Sequence, residues 1–146
     1  MKRFMILFLA VALLICPSCG QTSDSNTLEE DSTEIDLDLT TLSSTVVYAE
    51  VYALLTEPDA YVGKTIRMRG PFSVFHSNDT GKDYYACIIK DATACCAQGL
   101  EFVLGDGKKY PDDYPAVGDE VTVTGTFSTY WEGEDMYCTL LDASLG

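Results

Sequence analysis

Val117-Gly118-Asp119-Glu120-Val121-Thr122-Val123-Thr124-Gly125-Thr126-Phe127 carries the clearest strand pattern in the chain. Val121 and Val123 alternate with threonines, the period of a strand with one face buried. Gly125 interrupts the run before Phe127. A glycine inside a strand permits the sharp bend that a closing barrel needs.

Working outward, the same period recurs. Thr65 to Gly70 alternates, and Phe72 to Phe75 continues it past Pro71, giving a first strand with its own glycine, Gly70. Ser77 to Lys82 is a hydrophilic turn. Tyr84 to Lys90 and Leu100 to Leu104 read as the second and third strands, and Gly105-Asp106-Gly107 closes the third. A loop with Pro and Tyr runs from Lys108 to Val117. The quoted stretch supplies the fourth strand, Glu120 to Phe127. Glu132-Gly133-Glu134 turns the chain into a fifth, Met136 to Leu141. Upstream, Thr45 can cap a helix over Val46 to Leu55, with Val47, Val51, Leu54 and Leu55 on one face. The expected fold is mainly β: a small five-stranded barrel over residues 46–146, preceded by one short α-helix. Closure of the ring would remove exposed sheet edges.

With those strands in place, the chain resembles the OB-fold family of small envelope domains. The carriers are Tyr61-Val62-Gly63-Lys64 before the first strand and Val117 to Gly125 at the fourth. The helix that commonly links strands three and four of that family has no counterpart here. The resemblance raises a nucleic-acid reading, in which Phe72, Phe75, Tyr84, Tyr85, Tyr130 and Trp131 would form a stacking platform. Alternate strand aromatics serve equally as core or cross-strand pairs.

Charge opposes nucleic acid. The chain holds nine Lys and Arg against 23 Asp and Glu, a net of −14. From Val46 onward, seven basic and 16 acidic residues leave −9. Phosphates need a basic surface, and an anionic headgroup would be repelled for the same reason.

The N-terminus reads as a leader. Lys2 and Arg3 precede an unbroken apolar run from Phe4 to Ile15. Twelve residues are too few for a bilayer span, which needs ~20, but suit a signal-peptide core. The following Ile15-Cys16-Pro17-Ser18-Cys19-Gly20 resembles a bacterial lipoprotein leader, residues 1–19. That resemblance implies lipid attachment at Cys19, since small Ser18 precedes it, and an extracytoplasmic place in the cell envelope, anchored to the membrane. Simple secretion, with cleavage after Gly20, is the alternative. Residues 20–45 are expected to be a disordered acidic tether: Gln21 to Thr45 has seven acids and no bases. Ile35, Leu37, Leu39 and Leu42 are its one apolar feature; they are expected to lie loosely on the domain, with a strand added to it as the alternative.

Four cysteines remain: Cys87, Cys95, Cys96 and Cys138. Adjacent Cys95-Cys96 sits in a small-residue segment, Asp91 to Gly99, between strands two and three. Three readings stand open. The four form two structural disulfides, suited to a secreted chain. They hold zinc as a thiolate set, although the usual C-x-x-C spacing is missing. Or Cys87 and Cys138 are core thiols, and the vicinal pair alone is functional. Thr93-Ala94-Cys95-Cys96-Ala97 also resembles a paired-cysteine segment in the C-terminal OB-like domain of a family of bacterial permease subunits. That resemblance implies an association with metal, particularly zinc.

His76, the one histidine, lies beside a loop with no nucleophile motif near it in sequence. Asp106, Asp112, Asp113 and Asp119 fit no recognised calcium loop. No catalytic signature is present. The expectation is a non-enzymatic binding module for a small ligand or another envelope protein. The alternative is a thiol-based zinc or redox role at Cys95 and Cys96.

Overall fold

The computed structural model describes residues 34–146. The leader, Cys19 and the first part of the tether lie outside the described residues. The described residues hold five long strands. They are β2 (Thr65–His76), β3 (Asp83–Lys90), β4 (Ala97–Leu104), β5 (Glu120–Glu132) and β6 (Asp135–Leu145), with a short β1 (Leu37–Asp38) and the helix α1 (Ser44–Thr56) before them.

The five long strands close a ring in the order β2-β3-β4-β6-β5 and back to β2. All pairs are antiparallel except β4 with β6. The fold is mainly β and OB-like, as expected. β2 makes the closure possible by changing partners along its length. Thr65 to Pro71 pair with β5, and Phe72 to His76 pair with β3. The handover falls at Gly70-Pro71. A Cβ on Gly70 would stand 2.1 Å from the Ile88 carbonyl oxygen, so only glycine lets the two backbones meet. Gly125 sits where the β5–β6 register shifts between Thr124 and Thr126. This is a bulge that bends the strand.

Alternation fills the ring. Ile66, Met68, Phe72, Cys87, Leu100, Phe102, Val123, Phe127 and Leu140 all point inward and are fully buried. Each large side chain removed from water contributes about 1.5–3 kcal/mol. The β4–β5 loop docks through Tyr114. Its ring lies 4.4 Å from Tyr85, 5.8 Å from Phe72 and 5.9 Å from Phe102 by centroid, and its hydroxyl accepts the Leu104 N–H at 3.2 Å. α1 packs on β3 and β4 through Val47, Val51 and Leu54, one helical stripe.

Two expectations need correction. The tether does not run to Thr45. Leu37–Asp38 pairs in parallel with Ile66–Arg67, and Leu39 is 1% exposed in the core. The acids there are used locally. Asp36 Oδ2 accepts the Thr65 N–H at 2.8 Å, and Asp38 Oδ1 accepts from the Thr40 backbone at 2.9 Å. The Thr40 hydroxyl bonds the same carboxylate and, above all, holds the Asp38 carboxyl below its usual range. The helix also starts earlier than read: Ser43, not Thr45, is the N-cap, and its side chain makes no capping bond.

Candidate functional site

The two ends of β3 carry the polar chemistry. At its start, the β2–β3 turn leans on the two-residue β5–β6 turn. Lys82 Nζ donates to Glu132 Oε1 at 2.8 Å, and the Tyr84 hydroxyl donates to Glu132 Oε2. Thr80 Oγ1 lies 3.2 Å from the Tyr84 hydroxyl. The hydrogen bond from Lys82 is the main reason the Glu132 carboxyl is held below its usual range. The same bond raises the Lys82 ammonium. Lys82 is exposed and Glu132 is partly so, which lets salt screen the pair and keeps its contribution to stability small.

Behind this joint lies a cavity of about 180 Å³ lined by Phe75, Ser77, Tyr84, Glu101, Glu132 and Tyr137. Its residues come from all five long strands and one turn. Phe75 and Tyr84 are cross-strand partners, with ring centroids 6.5 Å apart. Tyr137 stacks on Tyr130 across the β5–β6 pair at 5.6 Å. Glu101 stands between buried Leu100 and Phe102, so alternation turns it to the outer face of β4. Tyr130 donates its hydroxyl to Glu101 Oε2 at 2.6 Å. Burial pushes the Glu101 carboxyl up, and the Tyr130 bond works against that shift. Burial, followed by the bond to Glu101, raises the Tyr130 hydroxyl. Thr139 sits opposite Glu101 in the β4–β6 register. It is buried, and its hydroxyl has no hydrogen-bond partner among the described residues.

The chemistry of this cavity is that of a cation site. Aromatic faces present negative quadrupole, and carboxylates add charge. Glu132 is already paired with Lys82, whereas no described cation lies within ion-pair distance of Glu101.

At the other end of β3, the turn 91–96 folds around one carboxylate. The Asp91 N–H donates to the Cys96 carbonyl at 3.0 Å, and Ala94 takes a left-handed φ of 56°. Asp91 Oδ1 accepts the N–H groups of Cys95 at 2.9 Å and Cys96 at 3.4 Å. Asp91 Oδ2 accepts from the Thr93 hydroxyl at 3.0 Å and the Cys95 thiol at 3.2 Å. The Cys95 thiol is the main cause that lowers the Asp91 carboxyl. The thiol sulfurs of Cys95 and Cys96 are 3.5 Å apart, and both residues are exposed. The hydrogen bond with Cys95 is what chiefly raises the Cys96 thiol.

The four cysteines do not converge. Cys87 is in the core, where burial pushes its thiol up to about 12. Cys138 is half-buried with its sulfur 3.8 Å from the Leu54 carbonyl oxygen, and burial raises it too. All four are free thiols in this structure. His76 Nδ1 bonds Asp83 Oδ1 at 2.8 Å, at the opposite end of β3 from Cys96. The loop aspartates serve the loop: Asp113 accepts from the Lys109 N–H, and Asp119 from the Ala116 N–H. Of the six aromatics singled out in the sequence, Phe72 and Tyr85 belong to the core cluster. Phe75 and Tyr84 line the cavity, Tyr130 bonds its carboxylate Glu101, and Trp131 is 69% exposed. Sequence reasoning missed Glu101, Glu132 and Tyr137. The signal for Glu101 was present, as a lone charge alternating with Leu100 and Phe102.

No family model matches this chain, and no curated protein does. Among solved structures, it is similar to a "putative nucleic acid-binding lipoprotein" of Klebsiella pneumoniae subsp. pneumoniae MGH 78578. The two are 18% identical, the match covers 73% of this chain and 81% of that one, and the TM-score is 0.38.

Proposed function

We propose that this is a non-enzymatic, extracytoplasmic binding module, anchored through Cys19, that captures a ligand bearing a basic group. The ligand site is the aromatic cavity between the β2–β3 and β5–β6 turns. The observation that carries the reading is Glu101, a half-buried carboxylate with no cationic partner among the described residues, beside Phe75, Tyr84 and Tyr137. In OB-like folds, the outer face of these strands and the two loops beside them commonly bind extended polymers. Here the face is acidic. A phosphate backbone would meet Glu101 and Glu132 instead of the lysines and arginines it needs. A primary amine or guanidinium on an extended chain fits, because its stem packs on the aromatic rings and its head meets Glu101.

The test is calorimetric titration of the full chain, in detergent, with trilysine and with single-stranded oligothymidylate. Trilysine should bind with a salt-sensitive affinity that falls at least tenfold in Glu101→Gln. Saturable binding of the oligonucleotide, with none of trilysine, would replace this reading with a nucleic-acid one.

A further inference from the structure

The turn at the far end of β3 carries a second site. We propose that Asp91, Cys95 and Cys96 form a three-ligand site for one zinc-like divalent cation, with the fourth coordination position open to solvent. The inference is independent of the cation pocket. Along β4, Glu101 lies five residues from Cys96, roughly 16 Å.

Three observations carry it. One ligand atom from each residue falls within 4.8 Å of the others, and this is the one such group among the described residues. Tetrahedral zinc with bonds of ~2.3 Å to sulfur and ~2.1 Å to oxygen sets the edges of its ligand tetrahedron at ~3.8 Å between sulfurs and ~3.6 Å from sulfur to oxygen. The turn already holds the sulfurs at 3.5 Å and Asp91 Oδ2 at 3.2 Å from the Cys95 sulfur. The remaining edge, from the Cys96 sulfur to Asp91, is within 4.8 Å, so side-chain rotation brings the three ligands to one metal.

The second observation is the division of labour on Asp91. Its Oδ1 is pinned by two backbone N–H groups, which fixes the carboxylate plane. Its Oδ2 faces the thiols and meets only side-chain donors, Thr93 and Cys95. A carboxylate held this way by its own outer shell is a preoriented ligand. The third is accessibility. Both thiols are exposed, and the turn spans six consecutive residues at one edge of the barrel.

Binding is simple substitution. Each thiol gives its proton to solvent, and the S–H···O contact of Cys95 with Asp91 is replaced by metal bonds to both atoms. No electron is transferred. Two thiolates and a carboxylate favour zinc over calcium or magnesium, which take oxygen sets. Three protein ligands and one open position make a site that can accept metal from a donor or pass it on, rather than a closed structural site.

Cobalt(II) is the probe, titrated into the reduced full chain in detergent without air, followed by zinc. One equivalent should give tetrahedral visible bands and a sulfur-to-cobalt charge-transfer band, both bleached by zinc. Cys95→Ser and Cys96→Ser should each remove most of the charge-transfer intensity. Asp91→Asn keeps the Oδ1 acceptor for the turn but removes the ligand oxygen, so it should weaken affinity at least tenfold with the fold intact. Cys87→Ser, and Cys16→Ser with Cys19→Ser, should leave the bands in place. The proposal is overturned if the wild-type chain gives no charge-transfer band, or if the band survives in Cys95→Ser/Cys96→Ser or vanishes in Cys16→Ser/Cys19→Ser.

Discussion

The two ends of β3 are built in opposite ways. At the start of the strand, Tyr84 meets Glu132, 48 residues away, and Tyr130 meets Glu101, 29 away. At its end, Asp91, Thr93, Cys95 and Cys96 satisfy one another within six residues. The first arrangement exists only while the ring is closed, because all five long strands bring its members together. The second needs little more than a hairpin. Global stability therefore governs the cavity, and local geometry governs the thiol turn.

That contrast can be sharpened first by thiol labelling. Cys95 and Cys96 should react with a maleimide at rates near those of an unfolded peptide. Cys87 should be protected by the whole stability of the barrel, many orders of magnitude for an ordinary domain of ~5–15 kcal/mol. Mass spectrometry after proteolysis reads all of them in one experiment. Fast labelling of Cys87 in the native protein would mean that the core near Gly70 is open.

Breaking the ring should separate the two ends next. Gly70→Ala forces a Cβ against the Ile88 carbonyl and should cost about 3 kcal/mol or more, abolishing trilysine binding. Labelling of Cys95 and Cys96 should hardly change. Chemical denaturation reads the loss. Leu39→Ala should follow at about 2–4 kcal/mol, since Leu39 is fully buried in the core. A loss below ~0.5 kcal/mol would return this segment to the tether.

Glu101→Gln is the smallest perturbation and the most selective. A tenfold loss of trilysine affinity corresponds to ~1.4 kcal/mol. The fold should gain rather than lose stability, because a partly buried charge without a cation is removed. The pH dependence has a definite sign. The folded-state pKa of Glu101 is raised, so the folded protein takes up a proton here before the unfolded chain does. Stability from this group rises as pH falls through the raised value and levels off below the ordinary glutamate value. Trilysine affinity runs the other way. It should begin to fall at a pH above the usual glutamate range, and it should be flat there in Glu101→Gln.

Much of the frame was legible in the sequence because it rests on local rules. Alternation placed β2, β3 and β5, and Gly70 and Gly125 marked the two places where the ring bends. The thiol turn was legible for the same reason, its cysteines being neighbours in the chain. Leu37 to Leu39 were legible only as one of two options, an added strand or a loose contact. The seven acids around them dominate the composition, while the deciding quantities are one buried leucine and a two-residue parallel pairing with Ile66 and Arg67. Glu101, Glu132 and Tyr137 were illegible as a group because only the β4–β6 and β5–β6 registers bring them to one cavity. The aromatic list was divided by parity: Phe72 and Phe75 lie three apart on β2 and so face opposite sides.

The most direct test of the central claim is amide chemical-shift mapping of the isotope-labelled full chain during titration with trilysine. The account predicts saturable shifts centred on Phe75, Tyr84, Glu101, Glu132 and Tyr137, absent from residues 91–96 and lost in Glu101→Gln. Shifts scattered over the acidic surface, or centred on any other face and unchanged in Glu101→Gln, would contradict it.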